Sequence, residues 1–222
     1  MALFVLGDPH LSLGASKPMD IFPGWGNHVE KIEANWNSKI TDEDTVVLLG
    51  DHSWALKLEE SYKDLEFIHS KLRGQKIFVK GNHDLWWSTM NKITKFVSDN
   101  GFSSIKFLFN NAYLVEGASI CGTRGWISEN GEKPDMKVLL REAGRLEASL
   151  KEGVKLGGEL VGHAFFTAGT GVGDQPTDGK GDLAVRTHFH GHLIGGAAHA
   201  AGLDFQAGHD VLHSLAEHFN GV

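Results

Sequence analysis

Ile77-Phe78-Val79-Lys80-Gly81-Asn82-His83-Asp84 joins a short apolar run to a glycine turn, and the turn to side chains that bind metals or move protons. Two other segments share the design. Leu3–Leu6 leads through Gly7 to Asp8-Pro9-His10, and Val46–Leu49 leads through Gly50 to Asp51. Runs of this length, rich in β-branched residues, read as buried strands. If the strands lie side by side, their polar ends gather at one sheet edge, where open α/β sheets bind ligands. Asp, His, a shareable Asp and Asn form a mixed oxygen and nitrogen donor set suited to a pair of first-row divalent metals.

Between these runs the pattern changes to helical spacing. Val29, Ile32, Trp36 and Ile40 follow the first strand, Leu58, Tyr62, Leu65 and Leu72 the second, and Trp86, Met90, Ile93 and Val97 the third. Three strand-then-helix units in succession indicate a layered α/β fold with a partly parallel sheet. Ile105–Phe109, Tyr113–Val115 and Ala118–Cys121 read as short strands of an antiparallel meander, and Met136–Leu156 as a long helix. Glu159–Gly162 reads as a strand ending at His163, and Leu183–Val185 as one leading to His188 and His190.

Composition changes after about residue 152. All 6 tryptophans precede residue 127, whereas eight of the 13 histidines and fifteen of the 28 glycines follow 152. Residues 167–182 carry almost no apolar side chains and are expected to form a long loop. The G-x-G-x-G spacing there has no helix after it, which argues against a phosphate-cradling glycine loop. A stripe of Val211, Leu212, Leu215 and Phe219 reads as a closing helix, with His209 and His213 on an exposed face.

A chain of 222 residues suits one domain spanning 1–222. A net charge of −7 without a Lys/Arg block gives no groove for nucleic acid, so that partner is not expected. An anionic substrate would need local positive charge, and two divalent ions among Asp8 and Asp51 would leave roughly +2 there. The single cysteine, Cys121, fits a reducing compartment. No stretch reaches membrane-span length and the N-terminal apolar run is too short for a signal peptide, so a cytoplasmic location and no membrane partner are expected.

The order D-x-H, G-D, G-N-H-D, with the flanks Gly50-Asp51-His52-Ser53-Trp54 and Cys121-Gly122-Thr123-Arg124-Gly125-Trp126, resembles the calcineurin-like metallophosphoesterases over residues 1–150. The resemblance implies a four-layer αββα sandwich with mixed sheets. It implies hydrolysis of a phosphate ester, mono- or diester, at two divalent ions (Mn, Fe or Zn) with a metal-activated hydroxide as nucleophile. Substrates of that class are phosphorylated small molecules or phosphoproteins. The implied metal ligands are Asp8 and His10 for the first ion, Asp51 as bridge and Asn82 for the second. His83 is implied to face the substrate, with Asp84 orienting its ring.

The later part of the pattern departs from the family. His163 is followed by Ala164-Phe165-Phe166 instead of a proline-containing turn. The G-H-x-H segment has two registers: Thr187-His188-Phe189-His190 keeps both histidines, while Gly191-His192-Leu193-Ile194 keeps the glycine and loses one. Losing a ligand damages a site more than changing a turn residue, so His163, His188 and His190 are taken as the remaining metal ligands, with His192 the alternative. These departures leave a second reading, a non-catalytic scaffold with an incomplete metal site. His52 reads as a packed histidine behind Asp51. Of Trp86 and Trp87, one is expected in the core and the other at the mouth of the site. Arg124 suits either a phosphate contact or an ion pair.

Overall fold

The computed structural model describes residues 1–124, 126–127, 136–163 and 166–167. Strands β1 (Leu3–Leu6), β2 (Thr45–Leu48), β3 (Gln75–Phe78) and β4 (Ile105–Phe107) form one sheet in that order, every pair parallel. Helices α1 (His28–Asn37), α2 (Tyr62–Ser70) and α3 (Met90–Asp99) are the crossovers, and a single 3-10 turn, Leu58–Ser61, leads into α2. A second sheet contains β5 (Tyr113–Val115), β6 (Ala118–Gly122) and β8 (Glu159–His163). There β5 runs antiparallel to β6, and β8 runs parallel to it. Helix α4 (Met136–Leu156) connects the two sides of this sheet, and β7 (Trp126–Ile127) pairs with β9 (Phe166–Thr167).

Alternation along the central strands builds the layers, because successive side chains point to opposite faces. Val46, Leu48 and Phe78 face a core shared with Trp36, Leu65, Ile68 and Ile93 beneath the three helices. Val47, Ile77 and Val79 face the other way and meet Ile120 and Val161 of the second sheet. Both faces of β2 and β3 are therefore covered, which explains the apolar runs Val46–Leu49 and Ile77–Val79; in β3 the cover extends over Lys76, which is buried too. On the far side of the second sheet, α4 packs Leu146 inward, and Ser149 Oγ bonds the Gly122 N–H at 2.9 Å. The result is a mixed-sheet αββα arrangement, as expected.

One boundary differs from expectation. Ile105–Phe107 does not begin a meander but completes the first sheet beside β3, and the antiparallel hairpin starts only at Tyr113. Helix α3 delivers the chain to that edge, and Ile105 and Phe107 bury themselves in the helix-side core. Thr167, expected to open the loop at 167–182, ends β9 instead; the rest of that loop, the strand expected at Leu183–Val185 and the closing helix lie outside the described residues. Among the described residues no helix is long and apolar enough to cross a membrane.

Candidate metal centre

Since β1, β2 and β3 are parallel and in register, the loops after them leave the sheet at one edge. The first two zip together: Asp8 N–H donates to Gly50 O at 3.2 Å, His10 N–H to Asp51 O at 2.9 Å, Leu11 N–H to His52 O at 3.0 Å and Trp54 N–H to Leu11 O at 2.8 Å. The third loop is brought in by glycine. A Cβ on Gly50 would overlap the Gly81 backbone, and one on Gly81 would overlap the Asp51 amide and carboxylate. Only two residues without side chains let these turns touch.

The outcome is a cluster of Asp8, His10 and Asp51 in which each offers a ligand atom, all within 4.8 Å of one another. All three have left-handed backbones, with φ of 56°, 46° and 52°. Such conformations cost about 1–3 kcal/mol each outside glycine and persist where the surroundings enforce them. Asp51 is buried, Asp8 is exposed and His10 lies between. Burial holds the His10 pKa below the usual histidine value despite the opposing pull of Asp51 and Asp8, which favours the neutral, metal-binding form. Two carboxylates and a neutral imidazole at this spacing fit a divalent first-row ion.

Asn82 lies exposed on the third turn, its Nδ2 3.2 Å from His83 Nδ1. His83 donates its backbone N–H to Asp51 Oδ1 at 2.8 Å, and its ring Nδ1 sits 2.9 Å from Asp51 Oδ2. The expectation that Asp84 orients His83 is therefore corrected: the ring partner is Asp51. Asp84 is fully buried behind the turns and turned the other way. It accepts from the N–H groups of Asp51, His52 and Gly81, from Trp86 Nε1, and bonds His52 Nδ1 at 2.8 Å. Burial alone would raise its pKa, but His52 and these donors outweigh it and bring the value down to about 2.

His52 is packed, as expected, stacked on Phe78 with ring centroids 4.1 Å apart. Trp86 and Trp87 are both core residues, so neither lines the mouth of the site. Trp54 and Trp25 take that place, stacked on and edge-on to His10 at 4.9 and 5.9 Å between centroids. Arg124 lies within electrostatic reach of Glu142, Asp51 and Asp84, and its pKa is lowered chiefly by burial. Lys80 is similarly lowered by burial and feels Arg124 and Asp84. Both bring positive charge toward an otherwise acidic edge. Main-chain pairing sets His163 beside Gly122 at the ends of β8 and β6, next to Thr123 and Arg124. His188, His190 and His192 lie outside the described residues.

Sequence reasoning missed Asp64. It is fully buried on α2, accepts from Leu13 N–H at 2.7 Å and bonds the Ser53 hydroxyl, tying the first loop to the second. The signal was there: Asp64 shares helical spacing with Ser61 and Ile68 on the buried face of α2.

Comparison with known proteins agrees with this geometry. The family model described as calcineurin-like phosphoesterase matches residues 1–193. No curated protein matches. A protein of unknown function from Aquifex aeolicus is 20% identical, with 72% of this chain and 77% of that one covered and a TM-score of 0.36. The protein TT1561 of Thermus thermophilus is 15% identical, with 82% and 73% covered and a TM-score of 0.43. Likenesses this distant say nothing of activity. The family match takes in all three strand-end motifs and most of the chain, and the chain belongs to the calcineurin-like phosphoesterase family.

Proposed function

We propose that this protein hydrolyses a phosphate ester at a dinuclear metal site. The observation that carries the reading is the convergence of Asp8, His10 and Asp51, from two separate strands, within 4.8 Å at one sheet edge. Asp8 and His10 would hold one ion, Asp51 would be shared, and Asn82 would serve the second. In the family pattern His163, His188 and His190 complete the set. Bound divalent ions would neutralise phosphoryl charge and make water nucleophilic near neutral pH.

The chain's own residues supply the rest. Asp51 is aimed by the His83 N–H on one oxygen and by its own amide's bond to Asp84. His83 is half exposed and gives Nδ1 to Asp51, so its Nε2 can hold or release a proton at the leaving oxygen. Arg124 and Lys80 offset the charge of a phosphoryl group and of the carboxylates around it. A phosphorylated small molecule or a phosphoprotein, met in the cytoplasm, fits the acidic chain without a basic stripe.

The test is metal analysis of the purified protein with turnover of p-nitrophenyl phosphate and bis(p-nitrophenyl) phosphate under added Mn²⁺, Fe²⁺ or Zn²⁺. Bound metal and chelator-sensitive release of nitrophenolate are expected. A protein that binds no metal and turns over neither ester would be the scaffold instead.

A further inference from the structure

Among the described residues, Trp36, Trp86 and Trp87 lie in the core at 6, 1 and 9% exposure. Trp25 and Trp54 are only half-buried, and both lie against His10. Trp54 also meets the His83 ring at 5.0 Å, so Trp25, His10, Trp54 and His83 make a continuous row of rings. The row is held in place. The Trp54 indole N–H donates to Met19 Sδ at 3.0 Å, and Met19 is itself buried. Trp25 packs edge-on to His28 at the start of α1 with centroids 5.4 Å apart. The Lys17 ammonium rests 3.1 Å from the centre of the Trp54 ring.

The core does not need these two indoles, and burial of a metal ligand does not need rings of this size. Behind Asp51 the space is closed by Gly81 and Asp84. On the other side stand His83, which is half exposed, and the ring row. A group esterified to a phosphate at this centre would run along that row. Resting on the phosphoesterase reading above, we propose that Trp54, Trp25 and Lys17 form the subsite for the esterified half of the substrate. That half carries a flat unsaturated ring with hydrogen-bond acceptors, the chemistry of a nucleotide base. Trp25, whose ring contacts are edge-on, offers it a stacking face, and Trp54, stacked on His10, offers its other face once Lys17 swings off it. Lys17 is held by a cation–π contact of the weak, exposed kind, so it can turn its N–H donors to ring acceptors.

Adenosine 5′-monophosphate and ribose 5-phosphate share phosphate and sugar and differ only in the base, so the pair isolates this subsite. Both are measured as inhibitors of bis(p-nitrophenyl) phosphate turnover, and by quenching of tryptophan fluorescence, which requires no turnover. The nucleotide is expected to bind about tenfold tighter, in keeping with base–aromatic stacking. Trp25→Leu and Trp54→Ala should each shrink that ratio toward one while leaving ribose 5-phosphate affinity within about twofold. Because Trp54 touches His10, metal content is measured for both variants, and Trp25→Leu decides if Trp54→Ala loses metal. Equal affinity of the two compounds for the native protein, or a ratio unchanged in Trp25→Leu, overturns the subsite. Absent turnover together with a tenfold difference in quenching would sink the phosphoesterase reading and leave the ring subsite standing.

Discussion

His52 Nδ1 lies 2.8 Å from Asp84 Oδ2, and both side chains are completely buried. The pair joins the turn after β2 to the turn after β3, and the same carboxylate also receives four backbone N–H groups, those of Asp51, His52, Ser53 and Gly81, and the Trp86 indole. Asp84 thus sets where Asp51 stands without pointing at the ligand cluster. Asp84→Ala would take this acceptor from four backbone N–H groups, the Trp86 indole and the His52 ring, all but the Gly81 N–H buried. A loss of about 3 kcal/mol or more is expected, since each buried polar group left unpaired costs about 1–3 kcal/mol. Asp84→Asn, which keeps one acceptor oxygen, should lose less. Urea unfolding of the three proteins gives the comparison, and equal midpoints for Asp84→Ala and native protein would remove Asp84 from this role.

The acid limb of stability should report the same carboxylate. In the folded protein its pKa is down at about 2, against 3.8 for an ordinary Asp. A depressed folded value means the unfolded chain binds the proton more readily. The stabilisation is therefore present above the ordinary value and disappears as pH falls through the folded one. The stability gap between native protein and Asp84→Asn should narrow from about pH 5 to about 2. A gap that stays constant across this range would contradict the assignment.

Gly81→Ala tests the close approach of the turns. Its new methyl group would occupy the space of the Asp51 amide and carboxylate, and backbone rather than a flexible side-chain tip stands in the way. The turns must separate, so metal content and activity should fall together. Circular dichroism should change little, because the strands end before this residue. Full metal content in Gly81→Ala would show that the turns can part without disturbing the ligands.

The sheet and the first ligands were legible because each of β1, β2 and β3 leaves a short apolar run that a ligand residue follows. Strands β2 and β3 are covered on both faces, whereas β1, expected to be buried, is the edge strand and leaves Val5 and Leu6 exposed. Ile105–Phe107 was not legible, since a three-residue strand between turns looks the same in a meander or at the end of a parallel sheet. Asp84 was assigned to its neighbour in sequence, His83, but its partner His52 stands 32 positions away. No local pattern encodes that distance. Trp54 and Trp25 were hidden for a similar reason: what distinguishes them from core tryptophans is contact with His10, made only after the loops fold back.

Asp64 predicts a stability effect that separates from chemistry. Its pKa is raised by burial against the bonds from Ser53 and Leu13. Asp64→Ala would strand the Leu13 N–H and the Ser53 hydroxyl, costing about 1–3 kcal/mol for each buried group left unpaired. Asn at this position can accept from Leu13 and donate to Ser53, so Asp64→Asn should restore most of the loss. Thermal unfolding of both variants, with metal bound, provides the measurement. If Asn is no better than Ala, the two hydrogen bonds are not what Asp64 contributes.

Asp51 and His83 share a hydrogen bond, yet their removal should have different consequences. Asp51 is the buried member of the ligand cluster and the only one hydrogen-bonded to the third turn. Asp51→Asn removes the charge that would be shared between two ions, so metal content and turnover should both collapse. His83→Ala leaves Asp8, His10 and Asp51 in place. It removes a ring that is half exposed and free to meet a leaving group. Turnover should drop by about 10²–10⁴, the usual contribution of a positioned acid or base, while bound metal stays near the native amount. An ester with a good leaving group, p-nitrophenolate, needs little protonation, so His83→Ala should be less impaired on it than on a simple alkyl ester. Metal analysis and turnover on both esters test this. Parallel loss of metal in the two variants would make His83 part of the metal site, and an equal penalty on both esters would deny it a role at the leaving oxygen.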